Sequence, residues 1–300
     1  MNIIVRNYFS HEALKTLCIR LAIPSEITER LMFYIGDMDP SLFEPYFILL
    51  FSLDTGGDAV AEISLLCGTA EDPKGDSGLR ALAVYLAAAL HTHEIYGEMG
   101  INDDVYFDTI EALRRFLYEH RASFGHFGFD RGFWIYRQLA ARLFRLGELE
   151  FEIYTLPKDG EPIGAAQPGD PVLSVHIPSD AVMTREALDN SYHMAQEFFA
   201  RFFPDYGYKC VYCSSWLLSP VLGELLKPGS HILDFQSDYE ITQADMEVND
   251  GINWIFKRNY EDFTQLPEDT SLMRGMKKIL VSGGKTGAAS GYVKNFGAFR

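Results

Sequence analysis

The sequence predicts an α+β protein in which a helical first half is followed by a mixed sheet with flanking helices. Through most of residues 1–146, apolar residues recur three and four positions apart, which is the spacing of amphipathic helices. From Glu148 onward, ELEFEIYTL alternates acidic and apolar residues, which is typical of a half-buried strand. This change of period near Gly147 predicts two domains, residues 1–146 and residues 147–300.

Composition and charge limit the classes of protein to which the chain can belong. Its 300 residues are 47% hydrophobic and 14% aromatic, enough for a large core and close to the length at which chains divide into two domains. A formal charge of −16 repels nucleic acid and anionic membranes, so we expect neither as a partner. The chain has no run of eighteen apolar residues, no secretory signal pattern and only four cysteines, and we therefore expect a cytoplasmic protein without disulfides.

Helices follow one another along the first half. An apolar stripe from Leu14 to Leu21 ends before Pro24, and Ser25 is expected to cap a second helix. After a polar turn from Gly68, the segments LRALAVYLAAALHTHEIY and VYFDTIEALRRFLYEHRASF both have helical spacing. The last helix predicted in this half is FWIYRQLAARLFRL, which ends before Gly147.

The second half alternates strands and helices. The strand ELEFEIYTL is followed by a Gly/Pro-rich loop and a second strand, VLSVHIP, which ends at Pro178. A long amphipathic helix follows from Thr184, with apolar residues at Leu188, Tyr192, Ala195, Phe199 and Phe202. We then predict a buried strand, YKCVYCSSWLL, a short helix, SPVLGELLKPG, and two further strands, HILDFQSDYEI and INWIFKR.

A glycine-rich segment near the C-terminus, ILVSGGKTGAASG, raises the possibility of a phosphate-binding loop. Such a loop needs a first glycine where this chain has Ile279, and it needs a strand before it and an α/β sheet after it. The preceding residues are spaced as a helix, so Gly283 and Gly284 are better interpreted as a helix stop.

Four segments carry a resemblance to a known family. They are GFDRGFWIYRQLAARLFRLGELEFEI from Gly128, SVHIPSDA from Ser174, CSSWLLSP from Cys213, and LPEDTSLMRGMKKILVSGGKTGAASG from Leu266. With these segments, the chain resembles N-acyltransferases that have an all-helical N-terminal domain and a GNAT-like C-terminal domain. The resemblance implies transfer of an acyl group from acyl-CoA to an amine of a small molecule or a peptide. In that family the final glycine-rich segment has no implied nucleotide role.

The resemblance also implies where an acyl-CoA would bind. The strand from Val172 to Ile177 would pair with the pantetheine arm, and the loop from Pro178 to Thr184 would meet the diphosphate at the start of the next helix. The implied binding residues are Ser174, Val175, His176, Ile177, Ser179, Thr184 and Arg185. The loop sequence PSDAVMT departs from the family pattern, because it has no glycine or arginine and Asp180 adds a negative charge. Arg185 is expected to offset that charge.

Three side chains are candidates for catalysis. His176 lies on the implied donor strand, and histidine is the residue type most often used as a general base. Glu152, which shares a strand face with Glu150, is a second candidate base, and Cys213 is the candidate proton donor to the leaving thiolate. The alternatives are a structural histidine, a solvated face for the two glutamates and a buried structural cysteine.

No metal site is expected from the cysteines and histidines. Cys210 and Cys213 are three apart, so in a strand their side chains point to opposite faces, and His91 and His93 diverge on a helix. A second function remains open, in which the GNAT-like domain is not catalytic and binds a small ligand or a protein partner. The missing glycines of PSDAVMT favour it, whereas the order of strands and helices favours the enzyme.

Overall fold

The computed structural model describes residues 5–52, 55–68, 76–258 and 260–298. The chain forms two compact units, Met1–Phe144 and Arg145–Arg300. Among the described residues, no helix is long and apolar enough to span a bilayer.

The regular elements of the first unit are helical as far as residue 142 in the described ranges, as the sequence predicts. The helices are α1 (His11–Arg20), α2 (Ser25–Asp37), α3 (Glu44–Leu50), α4 (Gly56–Cys67), α5 (Leu79–Met99), α6 (Asp103–Ile110), α7 (Ala112–Phe124) and α8 (Gly132–Leu139). Residues 81–89 of α5 are buried on every side, so this apolar helix forms the centre of the unit. The expected cap at Ser25 is wrong, because Ser25 is already the first residue of α2 and Pro24 holds the N-cap position.

The last helix predicted in this half is too long. Helix α8 ends at Leu139, Ala141 adopts a left-handed φ of 51°, and LFRL forms the strand β1 (Leu143–Leu146). A four-residue segment is too short for its spacing to distinguish a helix from a strand, so pairing within the sheet decides the conformation of LFRL.

The second unit is built on a six-stranded mixed sheet with the order β1-β2-β3-β4-β6-β5. Its other strands are β2 (Leu149–Thr155), β3 (Pro171–His176), β4 (Val211–Ser215), β5 (Tyr239–Asp245) and β6 (Ala288–Val293). The pairs β2–β3, β4–β6 and β5–β6 are antiparallel, whereas β3 and β4 are parallel. A parallel pair needs a crossover, and the long helix α9 (Arg185–Phe202) provides it.

The two faces of the sheet are covered differently. On one face, Leu188, Tyr192, Ala195 and Phe199 form the buried stripe of α9, and the Tyr192 ring contacts Phe151 of β2 with ring centroids 6.3 Å apart. On the other face, the loop over residues 156–170 packs Ile163 and Ala166 against the apolar side chains beside them. These neighbours include Val172, Tyr154, Tyr212 and Tyr292.

Two insertions surround β5, and here two strand predictions need correction. HILDFQS forms a helix, α11 (His231–Ser237), and only the residues after it make β5. INWI forms a helical turn, α12 (Ile252–Ile255), instead of a strand. Together with α10 (Leu222–Leu225) and α13 (Ser271–Val281), α12 encloses a separate apolar cluster around Leu222, Phe256 and Met276. Burial within that cluster, which is not visible locally, outweighs the strand propensity of these short segments.

The glycine-rich segment is a helix stop followed by a strand. Gly283 adopts a φ of 83° and its N–H donates to the Leu280 carbonyl, while the Gly284 N–H donates to the Ile279 carbonyl at 3.0 Å. The Thr286 N–H then donates to Asn249 Oδ1 at 3.0 Å. Since these backbone N–H groups are already bound within the protein, the segment does not form a phosphate cradle.

Candidate active site

Strands β3 and β4 separate soon after they meet. Both lie within the described segment 76–258, and their ladder consists of two pairs, Leu173↔Val211 and Ser174↔Tyr212. Along their other edges, β3 pairs with β2 as far as His176, and β4 pairs with β6 as far as Ser215. The carboxyl ends of two parallel strands therefore diverge at the centre of the sheet and leave edges that can pair with an extended ligand.

His176 and Glu152 are in contact beside this opening. His176 Nε2 lies 2.8 Å from Glu152 Oε2, and the side chains are 20% and 9% exposed. The sheet register places Glu152 opposite Ser174 and Glu150 opposite His176, so all four side chains lie on one face. The alternative of a solvated glutamate face is wrong, because Glu150 and Glu152 are 2% and 6% exposed as whole residues.

This pair can perform proton transfer. A carboxylate that accepts a hydrogen bond from one imidazole nitrogen fixes the tautomer, so that the other ring nitrogen carries the lone pair. The same carboxylate stabilises the imidazolium that forms when the ring takes up a proton. Glu152 is thus placed to orient the His176 ring.

The residues implied to bind acyl-CoA lie along β3, in the loop after it and at the start of α9. Ser174 and Val175 are buried, His176 and Ile177 are half-buried and Ser179 is exposed. Thr184 is the N-cap of α9, with its Oγ1 accepting from the Ala187 N–H at 3.4 Å.

Two arginines form ion pairs at the loop and at the start of α9. The guanidinium of Arg185 contacts Asp238 and Asp189, each at 2.7 Å. Arg145 of β1 binds Asp180, with Nη1 donating to Oδ1 at 2.7 Å. Arg145 and Glu148 are not among the candidates that the sequence predicts, although the short turn around Gly147 indicates that both lie at one end of the sheet.

The fold does not place Cys213 beside the other two catalytic candidates, His176 and Glu152. Burial raises the pKa of its thiol to about 12, and the residue is 0% exposed. In β4 its neighbours Tyr212 and Ser214 occupy the face that carries Tyr154 and Val172, so Cys213 points to the opposite face, beside Tyr239. The geometry therefore gives no support to Cys213 as a proton donor in the opening between β3 and β4.

The described residues contain no cluster of three or more histidine, cysteine or acidic side chains arranged to hold a metal ion. Cys210 Sγ instead lies 3.6 Å from the Ile163 carbonyl oxygen, within the apolar cluster under the 156–170 loop.

Comparisons with known proteins agree with this architecture. Residues 12–141 match the family model of an N-acyltransferase N-terminal domain, and residues 143–293 match that of a GNAT-like C-terminal domain. No curated protein matches the chain significantly. A solved mutant acyltransferase in complex with octanoyl-CoA is 26% identical, with a TM-score of 0.77 over 94% of this chain and 88% of that one. An acyltransferase in complex with decanoyl-CoA and teicoplanin is also 26% identical, with a TM-score of 0.74 over 93% and 86% of the two chains. From both family matches, this chain belongs to the N-acyltransferases that combine a helical N-terminal domain with a GNAT-like C-terminal domain.

Proposed function

We propose that this protein transfers an acyl group from acyl-CoA to an amine of a small molecule or a peptide. The observation that carries the proposal is the separation of β3 from β4 next to the His176–Glu152 pair. It is supported by the similar acyltransferase structures, which are complexes with octanoyl-CoA, with decanoyl-CoA and teicoplanin, and with CoA and a teicoplanin.

The reaction follows from the roles of these groups. Backbone groups at the open edge of β3 bind the pantetheine arm and polarise the thioester carbonyl. The amine nitrogen attacks that carbonyl, so that a C–N bond forms and the C–S bond breaks. His176 takes the proton that the amine loses, Glu152 stabilises the resulting imidazolium, and the leaving thiolate takes up a proton from the imidazolium or from water.

The test separates donor binding from catalysis. Calorimetry with octanoyl-CoA measures binding, and release of free CoA in the presence of teicoplanin as a first amine probe measures turnover. We expect His176→Ala to bind octanoyl-CoA like the wild type while CoA release falls about 10²- to 10⁴-fold, the usual contribution of a general base. Glu152→Gln should lower turnover less, because the ring remains hydrogen-bonded but the imidazolium loses a countercharge.

The matched control is His193→Ala, which removes a half-buried histidine of α9 that lies away from the His176–Glu152 pair in the sequence. Equal turnover in His176→Ala and His193→Ala would reject His176 as the base. If the folded wild-type protein binds no octanoyl-CoA, the enzyme proposal fails and a non-catalytic binding domain is supported instead.

A further inference from the structure

The loop between β3 and α9 is tied to the turn between β1 and β2 by three charged side chains. Glu148 Oε2 accepts a hydrogen bond from the Val182 N–H at 2.9 Å. Arg145 Nη1 donates to Asp180 Oδ1 at 2.7 Å, and its Nη2 lies 3.4 Å from Glu148 Oε2. We call Arg145, Glu148 and Asp180 the acidic clasp, since it holds two carboxylates and one guanidinium.

The position of Glu148 is fixed by its surroundings. Its own N–H donates to Ser191 Oγ at 2.8 Å, and Ser191 Oγ donates to the Ala187 carbonyl in the first turn of α9. Gly147 adopts a φ of 66°, and a Cβ at this residue would lie 2.6 Å from Ser191 Oγ. The turn therefore sits directly on the first half of α9, and this places the Glu148 backbone where its side chain can reach the loop.

The acidic clasp disfavours the binding of an anion at the end of β3. One loop N–H already has a carboxylate as its acceptor, and a second carboxylate, Asp180, lies in the same loop. The guanidinium of Arg185 at the start of α9 is likewise held between Asp189 and Asp238. A diphosphate at this loop would lie beside two carboxylates, Glu148 and Asp180, which share the guanidinium of Arg145.

We propose that the Glu148 carboxylate occupies the position at the Val182 N–H that the diphosphate of CoA takes, so that Glu148 and Asp180 determine how tightly a CoA donor binds. This inference rests on the proposed function. When the donor binds, Glu148 and Asp180 turn away, the Val182 N–H passes to a phosphate oxygen, and Arg145 exchanges a carboxylate for that phosphate. No covalent bond changes in this step.

The test compares two ligands that differ in the diphosphate. Calorimetry measures the Kd of CoA and of pantetheine, which lacks the nucleotide and its phosphates, for the wild type, Glu148→Gln and Asp180→Asn. Both substitutions keep the shape of the side chain and remove its charge. We expect each variant to bind CoA about 2- to 10-fold more tightly, the range for one charge near a helix N-terminus. The Kd of pantetheine should not change.

Asp205→Asn is the matched control, because Asp205 is an exposed carboxylate beyond the far end of α9. It should leave both dissociation constants unchanged. Glu148→Gln also weakens the hydrogen bond that this side chain accepts from the Val182 N–H. Melting temperatures are therefore measured with the titrations. Asp180→Asn tests the same effect of charge without changing the partner of the Val182 N–H.

Three results contradict the proposal. If the wild type binds both ligands and neither variant binds CoA more tightly, the acidic clasp is only a structural link and this inference alone fails. A parallel change for CoA and pantetheine leads to the same conclusion. If all the folded proteins bind neither ligand, the proposed function fails, and this inference fails with it.

Discussion

A single tyrosine hydroxyl links the two strands of the β2–β3 hairpin. Tyr206, which follows α9, places its hydroxyl 2.8 Å from the carbonyl oxygens of Tyr154 and Val172 and accepts from the Tyr154 N–H at 3.1 Å. Tyr154 and Val172 are partners in the β2–β3 ladder, near the point where the hairpin opens into its loop. The Tyr206 hydroxyl is therefore hydrogen-bonded to backbone groups of both strands at the end of that ladder.

Replacing Tyr206 with phenylalanine should lower the free energy of unfolding by about 1–3 kcal/mol, because backbone groups of β2 and β3 lose their partner while the ring stays. Urea denaturation followed by circular dichroism measures the change. Tyr118→Phe is the control, since the Tyr118 side chain is exposed. A loss no greater than that of Tyr118→Phe would contradict the role of the hydroxyl.

At the scale of elements, the end of α13 depends on one glycine. Gly283 follows the C-cap of α13 with a φ of 83°, and its N–H and that of Gly284 satisfy the last carbonyls of the helix. A side chain at this position is strained by its own backbone, although no neighbouring atom lies within 4 Å of the added Cβ.

Gly283→Ala should therefore destabilise the protein by about 1–2 kcal/mol, the cost of a left-handed conformation for a residue with a Cβ. Gly223→Ala is the control, because Gly223 lies within α10, has no positive φ and also has no atom within 4 Å of its added Cβ. We expect the control to be neutral or slightly stabilising. Equal melting temperatures for the two variants would show that α13 can end without the glycine.

At the scale of the whole molecule, stability depends on pH through buried histidine. In the first unit His120 is 4% exposed, and its Nδ1 lies 3.0 Å from the His126 carbonyl oxygen. Burial lowers the pKa of His120 below its usual value of 6.5, with the His126 carbonyl acting in the opposite direction. The folded protein thus favours the neutral imidazole.

Between the lowered folded-state pKa and the unfolded value of about 6.5, the unfolded chain binds more protons than the folded one. The contribution of neutral His120 to the free energy of unfolding is therefore fully present above that unfolded value. It is lost as the pH drops through this window. We expect the melting temperature to fall less in His120→Asn than in the wild type between about pH 7.5 and 5.5. The general change in net charge affects both proteins alike, so parallel curves would show that His120 makes no contribution.

The sequence by itself determined the features that depend on local spacing. The helical first half, the period change near Gly147, the stripe of α9 and the helix stop at Gly283 are all confirmed. Each of them extends over enough residues, or depends on a strong enough backbone preference, for short-range patterns to identify it.

Only the tertiary structure decided the short apolar segments and the contacts of the candidate site. LFRL became a strand, while HILDFQS and INWI became helices, because burial against residues distant in sequence outweighs the propensity of so few residues. Alternation along β2 made Glu152 a candidate and the family resemblance made His176 one, but neither indicated their 2.8 Å contact or the burial of the glutamates. The link from Arg145 to Asp180 joins residues 35 apart in the chain. Such pairs form only when the sheet brings distant segments together, and no local pattern records which partner lies across from a side chain.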